Sequence, residues 1–167
     1  SRCNIKIPEN SALPKIPDHN YLIQTLEFAA SFYEQQLRKS KSKEKAIDYL
    51  KGRGITGEIA KEFRLGYAEE GWDHLIKSHR SLNLKDSNLL EAGLVAEGKN
   101  KIYDRLRERI IFPIRNRRGQ IVGFGGRTLG NQQPKYLNSP ETALFQKGRE
   151  LYGLYESLQR AKPREII

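Results

Sequence analysis

Apolar residues recur every three to four positions after His19–Asn20. Tyr21 or Leu22, Thr25 or Leu26, Ala29, Phe32 or Tyr33, and Leu37 form one stripe along "YLIQTLEFAASFYEQQLRKS". That period predicts an amphipathic helix over 20–40. A second helix is predicted in "KEKAIDYLKGRG", with Ser42 as its cap, an Ala46, Ile47, Leu50 stripe, and Gly52 or Gly54 as its stop. "ITGEIAKEFRLG" predicts a third, short helix with a Thr56 cap and an end near Gly66. "LGYAEEGWDHLIKSH" reads as a short strand, then a helix opening near Gly71–Asp73, with Trp72 expected in the core. "SLNLKDSNLLEAGLV" reads as a helix capped by Asp86 or Ser87 and stopped by Gly93.

The period changes near residue 101. "RIIFPI" (109–114) is short, β-branched and aromatic, and "QIVGFGGRTL" (120–129) is strand-like. "RNRRG" (115–119) between them predicts a hairpin with a longer loop. Pro113 has no N–H for a ladder, which puts its strand at an edge or in a bulge. "LYGLYESLQR" (151–160) returns to helical spacing, and "PREII" (163–167) reads as a strand. Residues 1–19, with Pro8, Pro14 and Pro17, read as an extended linker. The fold class expected is therefore α+β (α/β): a helical N-terminal half followed by a small mixed or antiparallel sheet with packed helices.

Composition narrows the partners. The 167 residues carry a formal charge of +10, and the pI is about 9.7. Ten basic residues but two acids lie between Arg105 and Arg149, a net +8, which leaves +2 for the rest of the chain. So uneven a distribution favours an anionic partner such as nucleic acid or a nucleotide. No apolar run reaches the roughly 18 residues of a transmembrane helix, and the first ten residues hold no apolar signal core. The single cysteine, Cys3, excludes an internal disulfide and a Cys-rich zinc site, and suits a reducing, intracellular setting. The absence of methionine predicts a piece of a longer protein.

The census of catalytic groups is thin. Two-metal chemistry needs clustered carboxylates, yet Asp18, Asp48, Asp73, Asp86 and Asp104 are scattered. Asp104 and Glu108 are expected to pair with their arginine neighbours. His74 and His79 stand five apart, a poor spacing for a shared helical face, and Ser139 has no histidine near it in sequence. "GFGGRTLG" (123–130) is neither a dinucleotide fingerprint nor a P-loop, because no helix follows at once.

Anion recognition is better supplied. Arg105, Arg107 and Arg109 alternate, so an extended backbone would turn all three to one face, and a helix would align Arg105 with Arg109. Guanidinium groups grip phosphate through paired hydrogen bonds. Glycines in a strand, here Gly123, Gly125 and Gly126, suggest close approach of a backbone or ligand, or else a bulge. In "PKYLNSPET" (134–142), Lys135 offers a charge, Tyr136 a stacking face for an unpaired base, and Asn138 an amide. Equally, Tyr136 and Leu137 could fill core while Asn138, Ser139 and Thr142 make turn hydrogen bonds.

The ordered set "RERIIFPI", "GFGGR", "PKYLNSPET" and "LYGLY", with "AIDYLKGRGITGEIAKEFRLGYAEEGWDHL" (46–75) upstream, closely resembles the bacterial replicative primases of the DnaG type. The resemblance implies a DNA-directed RNA polymerase that makes short RNA primers on single-stranded DNA. It implies that residues 1–19 are the linker after a zinc-binding domain, that 20–162 are the N-terminal subdomain of the catalytic core, and that 163–167 begin the strand into a TOPRIM subdomain. Cofactors would then lie elsewhere: magnesium or manganese in the TOPRIM subdomain, zinc in the zinc-binding domain, none here. The implied partners are template DNA, ribonucleoside triphosphates, an RNA–DNA hybrid, and the replicative helicase through a C-terminal domain, in the bacterial cytoplasm and without a membrane. Carried over by motif, the template and nucleotide residues would be Arg53, Arg105, Arg107, Arg109, Arg127, Lys135, Tyr136, Asn138 and Lys147, with no complete catalytic set and no metal ligand. Arg115, Arg117 and Arg118 look like solvated turn charge. The rival class is a noncatalytic module that binds single-stranded nucleic acid.

Overall fold

A computed structural model describes residues 20–116, 118–130 and 133–145. The segments expected to be a linker (1–19), a helix (151–160) and a strand (163–167), and Lys147, lie outside the described residues. Five helices and six strands follow in chain order. They are α1 (Asn20–Lys39), α2 (Lys43–Gly52), α3 (Gly57–Glu62), β1 (Gly66–Ala68), α4 (His74–Ser81), α5 (Asp86–Glu91), β2 (Val95–Glu97), β3 (Ile102–Asp104), β4 (Arg109–Arg115), β5 (Ile121–Thr128) and β6 (Tyr136–Asn138). The α+β expectation holds. Every pairing is antiparallel: β1-β4-β5-β6 form one sheet, and β2 and β3 a separate hairpin. The strand β1 comes from the helical half yet pairs with β4, so the two halves share the sheet.

The α1 stripe explains one face. Leu22, Leu26, Ala29, Ala30 and Tyr33 are buried with Ile111, Ile121 and Phe124 of the sheet and Leu75, Ile76 and Leu89 of α4 and α5. Each fully buried leucine contributes roughly 1.5–3 kcal/mol. The helix crosses β1 so closely that a Cβ on Gly66 would lie 2.7 Å from the Tyr33 carbonyl carbon, and only glycine fits. The opposite face packs on α2 and the α2–α3 turn, where Ala46, Leu50, Leu65, Tyr67 and Ile110 are buried together.

Strand pairing accounts for Pro113. In β4, Arg109–Ile111 pair with β1 on one side, and the whole strand pairs with β5 on the other. Pro113 falls beyond the last β1 pair, and a bulge follows at Ile114/Arg115. Cap residues depart from expectation in two places. Ser42 occupies the N-cap of α2 but makes no capping bond; its hydroxyl instead lies 2.8 Å from the Tyr67 hydroxyl. Lys85, not Asp86 or Ser87, is the N-cap of α5, because Asp86 is drawn to Arg80 at 2.7 Å. Thr56 caps α3 as expected, accepting from the Ile59 N–H, but α3 ends at Glu62, where Arg64 takes a left-handed φ of 55°.

The carboxylates also differ from expectation, since neither Asp104 nor Glu108 pairs with an arginine. Glu108 takes Lys45 at 2.9 Å. Asp104, 3% exposed, accepts from the Leu75 and Ile76 N–H groups at the start of α4. It thus satisfies orphan donors that Asp73, the N-cap by position, leaves unmet. Burial, outweighing those two bonds, lifts the Asp104 pKa from 3.8 to about 6; the His74 charge lowers it and the Asp73 charge raises it. The folded state therefore binds the proton more tightly than the unfolded chain. Its contribution is complete below the unfolded value and is lost as pH rises through the folded one. We predict that stability in urea falls relative to Asp104→Asn between pH 4 and pH 7, by about 2 kcal/mol. A constant difference across that range would refute the assignment.

Candidate nucleic-acid interface

Face geometry decides which of the basic residues are available. Pairing of Tyr136 with Arg127, of Asn138 with Gly125 and of Phe112 with Gly125 sets these side chains on the sheet face that α2 only partly covers. There α2 brings Tyr49 and Arg53. The Arg53 guanidinium carbon sits 5.3 Å from the Tyr49 ring centre. The Arg127 carbon lies 5.5 Å from the same ring and 5.3 Å from that of Tyr136. Cations and rings alternate across this surface, Arg53, Tyr49, Arg127, Tyr136. Below them is a cavity of about 170 Å³, floored by Leu50, Ile110 and Phe112. Tyr136 is 57% exposed, so its ring is not core. The Arg127 Nε is enclosed without a protein acceptor, as is that of Arg105. The Arg127 guanidinium also donates from Nη1 to the Thr128 carbonyl oxygen.

The arginine run 105–109 adopts neither anticipated geometry. It leaves β3 as an irregular connection, and Glu108 has a left-handed φ of 51°, which breaks the alternation. Arg107 lies flat on Trp72, its guanidinium carbon 4.1 Å from the indole centre, and 5.5 Å from the Tyr103 ring. Trp72 and Tyr103 meet edge to face at 5.6 Å. Trp72 is 58% exposed, contrary to the core position expected of it. A large ring left in solvent under an arginine is a stacking platform. Nothing in the spacing around "EEGWDH" points to it; Tyr103 of β3 and Arg107 of the connection that follows reach Trp72 only through the fold.

Arg109 is a different kind of residue. It is 2% exposed and spends its donors on main-chain oxygens, those of Gly126 (3.3 Å), Lys135 (3.3 Å) and Pro134 (2.7 Å). Burial lowers its pKa, and the charges of Arg107 and Arg127 lower it further. It is withdrawn from any phosphate and serves as an internal clamp. What it clamps is the segment that carries the exposed Lys135 into β6 and Tyr136.

"PKYLNSPET" divides between both readings offered for it. Leu137 packs on the α1-side core, Ser139 accepts from the Phe124 N–H, and Thr142 accepts from the Leu144 and Phe145 N–H groups. Lys135 and Tyr136 face solvent, and Asn138 is half-buried. The glycines of "GFGG" make room for the protein's own side chains rather than a ligand. A Cβ on Gly125 would strike the Phe112 ring, one on Gly126 the Arg109 stem, and one on Gly123 Phe145 and Ser139. Arg115 and Arg118 are exposed at the β4–β5 turn, and Arg115 donates to the Gly119 carbonyl.

Among the described residues, no three His, Cys, Asp or Glu side chains gather to hold a metal ion. The nearest acids, Asp104 and Glu108, are committed to the α4 N-terminus and to Lys45. The donor set for a catalytic metal does not fit here. No described helix is long and apolar enough to cross a membrane.

Residues 32–158 match the family described as DNA primase catalytic core, N-terminal domain. A DNA primase of Pseudomonas aeruginosa is 52% identical over 156 residues, 92% of this chain and 24% of that protein. One of Salmonella typhimurium is 44% identical over 98% of the chain and 29% of that protein. The chain thus spans less than a third of these relatives. A solved structure of the DnaG primase catalytic domain bound to single-stranded DNA superposes with a TM-score of 0.74 at 43% identity, covering 85% of this chain and 44% of that one. The RNA polymerase domain of Mycobacterium tuberculosis primase DnaG, in complex with a double-stranded DNA oligomer with a 6-nucleotide overhang, gives 0.74 at 35% identity, over 80% and 42%.

Removing the clamp should be costly, because it takes away a buried side chain's hydrogen bonds to the Gly126, Lys135 and Pro134 carbonyl oxygens, of which that of Lys135 also accepts the Thr128 N–H. Arg109→Leu is expected to lower the unfolding free energy by about 3 kcal/mol or more in urea titration. Arg109→Lys should recover only part of it, since one ammonium lacks the planar fork. A loss under about 1 kcal/mol would mean that the carbonyls find other donors.

Proposed function

This chain belongs to the family of DNA primase catalytic core N-terminal domains, and from that membership we propose that it holds the single-stranded DNA template and nucleotides for a primer-synthesising RNA polymerase. The observation that carries this reading is the alternation of cations and exposed rings on the open sheet face. Arginines neutralise phosphates, while tyrosine faces accept unpaired bases without regard to sequence. Arg53, Arg127, Lys135, Tyr136 and Asn138 form one group, and Tyr49, unremarked in the sequence, completes it. Arg107 on Trp72, with Arg105 beside it, forms a second group for the template strand. Arg109 acts only by positioning Lys135 and Tyr136.

In the whole protein the linker, core and TOPRIM boundaries would fall as the resemblance implies, at 1–19, 20–162 and 163–167. Metal-bearing carboxylates outside this chain would assist attack of a 3′-hydroxyl on an α-phosphate, with zinc in a separate domain. Ribonucleoside triphosphates, an RNA–DNA hybrid and the replicative helicase would be partners of that protein, at the replication fork in the bacterial cytoplasm. Lys147 keeps its assignment as a phosphate contact by motif alone. The name DNA primase borne by relatives that cover 86–99% of the chain supports this reading over a noncatalytic binding module.

Anisotropy with labelled oligothymidylate at several salt concentrations tests the surface. Binding should weaken with salt, with a log–log slope of about −2 to −4, and Arg127→Ala should make it shallower by about 0.7. Trp72→Ala should lose about 1–3 kcal/mol with the slope unchanged, as stacking requires. Binding indifferent to salt, or to both substitutions, would sink the proposal. In the whole protein, Lys135→Ala should lower primer yield about tenfold or more at unchanged thermal stability; normal yield would remove Lys135 from the site.

A further inference from the structure

A second cavity, of about 430 Å³, opens on another face of α2. Helical spacing separates the two: Lys43, Ile47, Leu50 and Lys51 line this one, while Tyr49, Leu50 and Arg53 line the nucleotide side. Its floor is aliphatic, made by Leu37, Ile47, Ile55 and Ala60 with Leu50 and Leu65 beneath. Its rim is basic, with Arg38 from α1, Lys43 and Lys51 from α2, and Lys61 from α3. Glu34 is the one carboxylate in the lining, and Arg64 already holds it at 2.9 Å. The Lys43 ammonium is anchored 2.9 Å from the Arg38 carbonyl oxygen, so it stays at the rim.

The volume falls in the range of ligand sites, about 300–1,000 Å³. Four like charges without a free counter-ion repel one another, and an acidic visitor relieves that. The chemistry of the floor selects among acidic visitors. The nucleotide side offers tyrosine and phenylalanine rings; this floor offers none on which a base could stack. Branched aliphatic walls fit aliphatic side chains instead. We propose that the cavity is a docking site for an acidic protein segment that inserts one or two aliphatic side chains, its carboxylates meeting Arg38, Lys43, Lys51 and Lys61. It stands apart from the template reading and does not depend on it.

The probe is a fluorescein-labelled peptide with two central leucines flanked by glutamates, titrated with the 167-residue chain and followed by anisotropy. It should bind, and replacing its leucines with serines should abolish binding. Lys51→Glu with Lys61→Glu, both exposed positions, should weaken it about tenfold at unchanged thermal stability. Arg127→Ala should leave its affinity unchanged, which separates this site from the template surface. Failure of the peptide to bind, or indifference to the charge reversal, overturns the proposal. Displacement by oligothymidylate in the Arg127→Ala background would make the cavity a nucleic-acid site and overturn it too. So would a dimer in sedimentation that the double substitution dissolves, since a second copy would then be the occupant.

Discussion

A buried guanidinium answered by carbonyl oxygens is the constraint on which the working surface depends. Arg109 lies at the start of β4, and its donors reach the backbone of β5 and of the segment leading into β6. Among the described residues no carboxylate pairs with it, so its desolvation is offset through hydrogen bonds to dipoles whose positions must be right. Three elements far apart in sequence are thereby held in one register. The β5–β6 ladder is short, three residue pairs flanked by the Thr128 N–H to Lys135 carbonyl bond, and Arg109 reinforces it at the Lys135 and Pro134 carbonyls. The buried Arg109 thus helps to set where the neighbouring cation and ring stand.

The glycines serve the same end from below. Gly123, Gly125 and Gly126 leave hollows on both faces of β5, and Phe145, Phe112 and the Arg109 stem fill them. The sheet can then stay thin where bulky side chains cross it. Arg127 follows that run at once and is left half-exposed between two rings. Its neighbours are fixed by packing, so little rotamer freedom remains to be lost when an anion arrives.

Local periodicity made much of this fold legible. The α1 stripe, the α2 stop, the Thr56 cap, the β4–β5 hairpin and the proline beyond the last β1 pair all follow from residues within a few positions of each other. What escaped notice was set by long-range pairing. Trp72 looked like core because large apolar rings usually are, and it is exposed because Arg107 and Tyr103 arrive from a distant hairpin. Asp104 and Glu108 sat among arginines in sequence, yet found a helix N-terminus and a lysine in space. The 105–109 alternation failed at a single residue, because the left-handed Glu108 sends Arg107 outward and Arg109 inward. Motif resemblance groups Arg53, Arg109, Arg127, Lys135 and Tyr136 alike; only the fold separates the buried Arg109 from the exposed Lys135 and Tyr136.

Leu50, Ile55 and Leu65 line both cavities, one on each side. A partition one side chain thick, close-packed as protein interiors are, has nowhere to dissipate a displacement. Whatever swells one chamber leans on the wall of the other, and Tyr49 and Arg53 stand on the same turns of α2 that carry this wall. The two chambers therefore have a common mechanical fate. A bulkier or smaller residue at Leu50 would be felt at the arginine–tyrosine face and at the basic rim at once.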